Sequence, residues 1–273
     1  MTTLRAGLIG RPVAHSFSPT LHRAAGESCG VAVDYRLYDT APEDVADRLD
    51  ALRAAGLDGV NITAPHKAAA AAWVERVGAL TPAARAVGVV NTVVFGAPAP
   101  IGDNTDVEGF AHALGPVLER RALLVGAGGA ARAVARALLD AGVEVTVVNR
   151  TPARAEALRA AMGDDAARVT ARGLDAAADA VAGVELVVDA LPTPAIAAAL
   201  PFEATAPGAR IVTLRYGPSV EPLRAAVRGR RPFDDGLAML AWQGIAAFRR
   251  WTAREPVPEA VLDALRVAAS ARR

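Results

Sequence analysis

Arg121-Ala122-Leu123-Leu124-Val125-Gly126-Ala127-Gly128-Gly129-Ala130-Ala131 is the stretch that decides the fold. An apolar run of strand type enters a glycine turn and leaves it in an alanine-rich helical segment. In that arrangement Gly126 permits the tight turn, Gly128 lets the backbone approach a pyrophosphate, and Ala131 allows the helix to pack closely on the strand. A second strand, Val143 to Val148, arrives at the spacing of a βαβ unit and ends in Asn149-Arg150-Thr151-Pro152, with Arg154 in the next helical turn. An NAD site would usually place an acid here for the ribose 2′-hydroxyl. This chain offers two guanidiniums, a hydroxyl and a proline-opened helix N-terminus, which suit a 2′-phosphate, so the expected cofactor is NADP.

Strands alternate with helices on both sides of that unit, the pattern of an α/β chain with parallel sheets and crossover helices. Upstream, strands are expected near 4–9, 33–38, 58–63 and 89–95. Helices are expected to start at Ser18-Pro19, near Pro42, at Pro65 and at Thr81-Pro82, where proline follows a capping type of residue or opens the helix. A proline-rich connection, Gly96 to Pro100, precedes Asp103-Asn104-Thr105-Asp106. The reading is a first domain at 1–104 with a mostly parallel sheet, a doubly wound nucleotide domain at 105–236, and C-terminal helices at 237–273.

Composition narrows the function classes. With 30 basic and 29 acidic side chains scattered through 273 residues, there is no one-signed patch to follow a nucleic-acid backbone. No stretch is long and apolar enough to span a membrane, and the chain enters a strand at Leu4 to Ile9 with no room for a signal peptide. The single cysteine, Cys29, cannot form an internal disulfide and fits a reducing cytoplasm. His15, His22, His66 and His112 show no metal-ligand spacing, so no metal is expected. The expected partner is a small-molecule substrate, with the chain a monomer or homodimer.

Among the 30 basic residues only Lys67 is a lysine. A guanidinium does not give up its proton in a working protein, whereas an ammonium can be tuned to do so. Gly59-Val60-Asn61-Ile62-Thr63-Ala64-Pro65-His66-Lys67 reads as a short strand entering a proline-started helix, which puts Lys67 in the first turn. The positive end of the helix dipole there disfavours the ammonium, which suits an amine that exchanges a proton.

Five blocks in order now carry a resemblance: Gly10-Arg11-Pro12-Val13-Ala14-His15-Ser16-Phe17-Ser18-Pro19 with Leu21-His22; Asn61 to Lys67; Gly88-Val89-Val90-Asn91-Thr92; Gly102 to Asp106; and Asp235-Gly236-Leu237-Ala238-Met239-Leu240 ending at Gln243. Together with the cofactor turn they resemble the shikimate dehydrogenase family, NADP-dependent enzymes of aromatic amino-acid biosynthesis, over nearly the whole chain. The resemblance implies reversible NADPH-dependent reduction of 3-dehydroshikimate to shikimate. It implies that Ser16 and Ser18 hold the substrate carboxylate, and that Lys67 and Asp106 serve the reacting hydroxyl as one titrating unit in which either can be the formal base. Thr63, Asn91, Gln243 and Tyr216 fall to the rest of the substrate, and Ala127, Gly129, Ala130, Leu214, Gly236 and Met239 join the turn residues along the cofactor. Gly236, Met239 and Gln243 are spaced i, i+3, i+7, one stripe of a helix suited to a cleft wall. The resemblance makes 1–104 the substrate-binding domain and implies that the 237–273 helices pack back on it, because Gln243 must reach substrate held by Ser16 and Lys67, with cofactor and substrate meeting in the cleft between the domains.

Two departures stand against that pattern. After the fourth strand of the cofactor domain the family usually has Asn-Ala-Thr, a proline or serine, and a glycine, where this chain has Asp189-Ala190-Leu191-Pro192-Thr193-Pro194. The family usually has an aspartate three residues before the tyrosine of the next strand, where Thr213 precedes Tyr216. Both positions face the nicotinamide half of the cofactor in the family. They motivate one alternative, a catalytically inactive NADP-binding regulator, beside the same-class alternative of a paralogue acting on quinate or an amino-substituted analogue.

Overall fold

The structure, a computed structural model, describes residues 3–96, 98–193, 197, 199–227, 229 and 231–271; Pro194 lies outside them. The chain divides into two compact units, Met1–Gly109 with Leu240–Ala268, and Phe110–Met239 with Ala269–Arg273. Both divisions fall a few residues inside helices, whereas the sequence boundaries lie at 104/105 and 236/237.

The first unit is built on a six-stranded sheet of β1 (Thr3–Gly10), β2 (Ala32–Asp39), β3 (Gly59–Ile62), β4 (Ala79–Leu80), β5 (Thr92–Val94) and β6 (Ile101–Asp103), in the order β2-β1-β3-β5-β6-β4. β2, β1 and β3 are parallel, joined through the helices α1 (Ser18–Cys29) and α2 (Val45–Ala54). β5 runs antiparallel to both β3 and β6, a short hairpin of which the sequence reading placed only the first strand. Buried Ile9, Val60, Ile62, Trp73, Val74 and Val93 form the core between this sheet and α2 and α3 (Lys67–Val77). Residues of this type alternate too little for a half-wet strand, so the central strands are buried on both faces.

Two helix starts differ from expectation. α1 is capped by Phe17, with Ser18 and Pro19 as its first two residues, so the Ser18 side chain makes no cap bond. α3 begins at Lys67 and not at Pro65, because Thr63–His66 form a turn closed by the His66 amide on the Thr63 carbonyl at 3.0 Å. α4 (Pro82–Val87) starts as read, with Thr81 accepting from the Ala84 amide at 3.2 Å.

α5 (Thr105–Leu114) follows β6 directly. The second unit carries six parallel strands, β7 (Arg121–Val125), β8 (Glu144–Asn149), β9 (Val169–Gly173), β10 (Leu186–Asp189), β11 (Arg210–Thr213) and β12 (Phe233–Asp234), in the order β12-β11-β10-β7-β8-β9. α6 (Gly129–Asp140) and α7 (Pro152–Ala160) connect β7, β8 and β9, and the order reverses between β9 and β10. Two short helices, α8 (Ala177–Ala180) and α9 (Glu221–Val227), follow β9 and β11. That is the doubly wound pattern, with its switch point between β7 and β10. Leu123, Val125, Val187, Ile211 and Leu223 are central to its core.

The chain then returns to the first unit in α10 (Leu237–Thr252). Gly109 of α5 meets α10 so closely that a Cβ there would lie 2.6 Å from the Gln243 backbone nitrogen. On α10, Gly244 sits against Leu21, Arg250 binds Asp103 at 2.9 Å, and Trp251 donates to the Val93 carbonyl at 3.0 Å. α11 (Pro258–Ser270) closes the chain's helices. Among the described residues no helix is long and apolar enough to cross a membrane.

One buried histidine ties α1 to the first sheet. His22 is fully buried, stacks on Tyr35 with ring centroids 4.4 Å apart, and approaches the Asn61 Oδ1 to 3.0 Å through Nε2. Burial holds its pKa down at about 3, against its hydrogen bond to Asn61 Oδ1, which works the other way. As pH falls below the ordinary value of 6.5, the unfolded chain takes up a proton that the fold refuses. Stability conferred by the neutral ring is therefore lost between pH 6.5 and about 3. His22→Gln, which cannot titrate, should flatten that fall in urea denaturation followed across this window; an unchanged slope would count against the assignment. Gly109→Ala should cost about 1–3 kcal/mol by forcing α5 and α10 apart, read as a lower denaturation midpoint.

Candidate active site

The ends of β1, β3 and β5 and the first turn of α5 bring together most of the residues singled out in the first half of the sequence. Lys67 is the first residue of α3, and its Nζ pairs with the Asp106 carboxylate. The two side chains are 14% and 8% exposed, so the pair is nearly dry while keeping an opening to solvent or ligand. The other carboxylate oxygen of Asp106 accepts from Asn91 Nδ2 at 2.8 Å. Asn91 follows the Gly88 turn, where φ is +68°, a conformation that favours glycine.

Both Asn91 amide hydrogens are used inside the protein, since Nδ2 also donates to Thr105 Oγ1 at 3.0 Å. Its Oδ1 accepts from the Thr105 amide at 2.8 Å and from Thr92 Oγ1 at 3.1 Å. Asn91 is thus a spacer that fixes Asp106. Asp103 and Asn104 anchor the same block: Asp103 Oδ1 accepts from Thr81 at 2.5 Å and from the Asn104 amide at 2.8 Å, and Asn104 Nδ2 donates to the Val89 carbonyl at 3.0 Å.

Ser16 lies in the loop after β1, and Ser18 is the first residue of α1. Ser16 Oγ donates to Ser18 Oγ at 3.0 Å and accepts from the Ser18 amide at 3.1 Å. Ser18 also shares a hydrogen bond with the Tyr35 hydroxyl, which donates to Asn61 Oδ1 at 2.8 Å. Asn61 Nδ2 donates to Thr92 Oγ1 at 3.1 Å. A continuous path of hydrogen bonds therefore runs from Ser16 through Tyr35, Asn61, Thr92 and Asn91 to Asp106 and Lys67. Sequence reading gave Asn61, Thr92, Thr105 and Tyr35 no role. The available signal was an asparagine inside the apolar strand Val60-Asn61-Ile62, because a buried amide has to find partners.

Thr63 follows β3, its amide on the Ile9 carbonyl at 2.9 Å and its methyl against Gly10. Gln243 lies on α10, where its Nε2 donates to the Leu240 carbonyl at 2.9 Å and leaves Oε1 as the acceptor. Gly236 precedes α10 instead of sharing its stripe, since the helix starts at Leu237; a Cβ at Gly236 would meet the Leu214 carbonyl oxygen at 2.2 Å. Gly236 and Met239 belong to the second unit and Gln243 to the first. Tyr216 and Leu214 follow β11 in the second unit.

The glycine turn fits a dinucleotide. Gly126 has φ +113° and contacts Ala190, and no atom lies within 4 Å of where a Gly128 Cβ would stand. Gly128 caps α6, so Gly129 and Ala130 present the helix's first amides, next to Ala127. After β8, Asn149 Nδ2 donates to the Thr151 carbonyl at 3.0 Å, and Thr151 caps the proline-started α7. Arg150 and Arg154 are both exposed beside that helix end, open to an anionic group.

The sequence matches three family profiles: the shikimate dehydrogenase substrate binding domain at residues 8–93, shikimate/quinate 5-dehydrogenase at 110–198, and the shikimate 5′-dehydrogenase C-terminal domain at 236–266. It is 42% identical to a shikimate dehydrogenase (NADP(+)) of Thermus thermophilus, over 96% of this chain and 98% of that protein. It is 40% identical to the protein of the same name from Xanthomonas campestris pv. campestris, over 97% and 96% of the two chains. Among solved structures, a shikimate 5-dehydrogenase from Thermus thermophilus in complex with NADP(H) and shikimate aligns with a TM-score of 0.83 at 38% identity, over 97% of this chain and 100% of that one. A quinate dehydrogenase from Corynebacterium glutamicum in complex with NAD aligns at 0.84 with 30% identity, over 98% and 100%. With identity at this level along almost its full length, the chain belongs to the shikimate dehydrogenase family.

Proposed function

We propose that this chain catalyses the reversible NADP-dependent interconversion of 3-dehydroshikimate and shikimate in the biosynthesis of aromatic amino acids. The observation that carries the reading is the shielded Lys67–Asp106 pair with Asn91 on its free oxygen. The relatives named above support both the substrate and the cofactor.

When bound, NADPH supplies the hydride for the substrate carbonyl; the turn at Gly126 to Ala130 would hold its pyrophosphate, and Arg150, Thr151 and Arg154 its 2′-phosphate. Negative charge then grows on the carbonyl oxygen, and the Lys67 ammonium is the proton source beside it. Asp106 keeps that ammonium in place, because the carboxylate is fixed by Asn91 and cannot swing away. In the oxidative direction the same pair removes the hydroxyl proton, and the two groups act as one unit. Ser16 and Ser18 offer two hydroxyls to the substrate carboxylate. Thr63 and the Gln243 Oε1 take the remaining hydroxyls. Cys29, a free thiol, supports a reducing cytoplasmic setting.

Purified protein given shikimate and NADP⁺ should produce reduced nicotinamide, read at about 340 nm; faster turnover of quinate than of shikimate would overturn the substrate assignment. Lys67→Arg keeps the charge and loses the exchangeable proton, so kcat should drop about 10²–10⁴-fold while the shikimate KM moves far less. Near-normal turnover would remove Lys67 from the chemistry. Replacing Arg150 and Arg154 together with alanine should lower kcat/KM for NADP⁺ by about tenfold or more and leave that for NAD⁺ nearly unchanged, which a comparison of the two cofactors would test.

A further inference from the structure

The two departures at the nicotinamide side are a single feature in three dimensions. Asp189 ends β10, Thr213 ends β11, and the two are register partners in the parallel ladder. Both are fully buried, and Arg215 beside them is 8% exposed. Asp189 Oδ2 accepts from Arg215 Nη2 at 2.5 Å and from Thr213 Oγ1 at 2.9 Å, and Oδ1 accepts from the Leu191 amide at 3.2 Å. Thr213 Oγ1 in turn accepts from the Arg215 amide at 3.3 Å, and Arg215 Nη1 donates to the Ser219 carbonyl at 3.3 Å.

The backbone repeats these links. The Leu214 amide donates to the Asp189 carbonyl at 2.9 Å, and the Gly236 amide to the Arg215 carbonyl at 2.7 Å. A guanidinium this deeply buried needs a carboxylate partner, and an amide at position 189 would leave its charge unpaired. That requirement accounts for an acid on β10, where the family usually has asparagine.

In a doubly wound sheet each half takes one mononucleotide at the carboxyl ends of its strands. The half containing β7 to β9 carries the glycine turn and Arg150. The segments tied together by Asp189, Thr213 and Arg215, at Ala190–Leu191, Leu214 and Gly236, are the carboxyl ends of the other half. We infer that Asp189, Thr213 and Arg215 are positioning residues that set this backbone to receive the nicotinamide half of the cofactor, an inference that rests on the NADP-dependent reading above. The arrangement keeps the acid and moves it one strand over.

The test compares two ligands by calorimetry on the full chain: NADP⁺, and 2′,5′-ADP, which lacks the nicotinamide half. Asp189→Asn should weaken NADP⁺ by about tenfold or more and 2′,5′-ADP by less than about twofold. The shikimate KM should stay within about twofold, while kcat falls. Adding Thr213→Asp to that variant returns an acid to β11 beside Arg215 and should recover most of the NADP⁺ affinity. Equal weakening of both ligands, unaltered NADP⁺ binding in a folded variant, or a double variant no better than the single one would overturn the inference. Should Asp189→Asn fail to fold, Thr213→Val removes only the joining hydroxyl and is read by the same ligand comparison. Wild-type protein that binds NADP⁺ but leaves shikimate unoxidised would defeat the proposed reaction, while the ligand comparison would still decide the cluster.

Discussion

A nearly dry ammonium–carboxylate contact is expensive to assemble, because both charges surrender most of their hydration. At Lys67 and Asp106 the cost is offset on the carboxylate side: Asn91 donates to the second carboxylate oxygen, and Thr105 and Thr92 hold Asn91. Lys67 opens α3, Asn91 and Thr92 stand at the start of β5, and Thr105 and Asp106 open α5, so the contact exists only when these three segments are in register. The sheet, the Gly88 turn and the hairpin of β5 and β6 can be understood as the scaffold that brings these segments to one point.

The same logic explains the polar residues that touch neither charge. Asn61 in the middle of β3 joins His22 and Tyr35 on one side to Thr92 on the other. It links Ser16 and the start of α1 to the ionic pair through hydrogen bonds, so the two are fixed against each other. Helix α10 is fixed there by close approach through Gly109 and Gly244 and by Phe248 and Trp251 packed on His22, with Arg250 on Asp103 as the polar anchor. Burying an amide network of this kind costs less than leaving one member unpaired, which argues that it is retained as a whole.

The glycine turn after β7, the guanidiniums after β8 and the sole lysine were readable in one dimension, because each rests on local backbone needs or on residue chemistry. The parallel strands were readable too, as apolar runs between turn signals. What escaped depends on distant partners. Nothing local shows that Ser18 would be the first helical residue instead of the cap, or that Pro65 would stay in the turn ahead of α3. Asn61, Thr92 and Thr105 acquire meaning only when three strands and a helix meet. Asp189 and Thr213 stand 24 residues apart and read as two separate irregularities, until parallel register sets them side by side with Arg215.

The ion pair on Lys67 also governs how the protein would respond to acylating reagents. The only primary amine on any side chain is shielded and bound to a carboxylate, so the folded molecule presents arginines almost everywhere a reagent can reach and no ready lysine nucleophile. Loss of the fold would release that amine, making its acylation a single-site reporter of opening around the reacting centre.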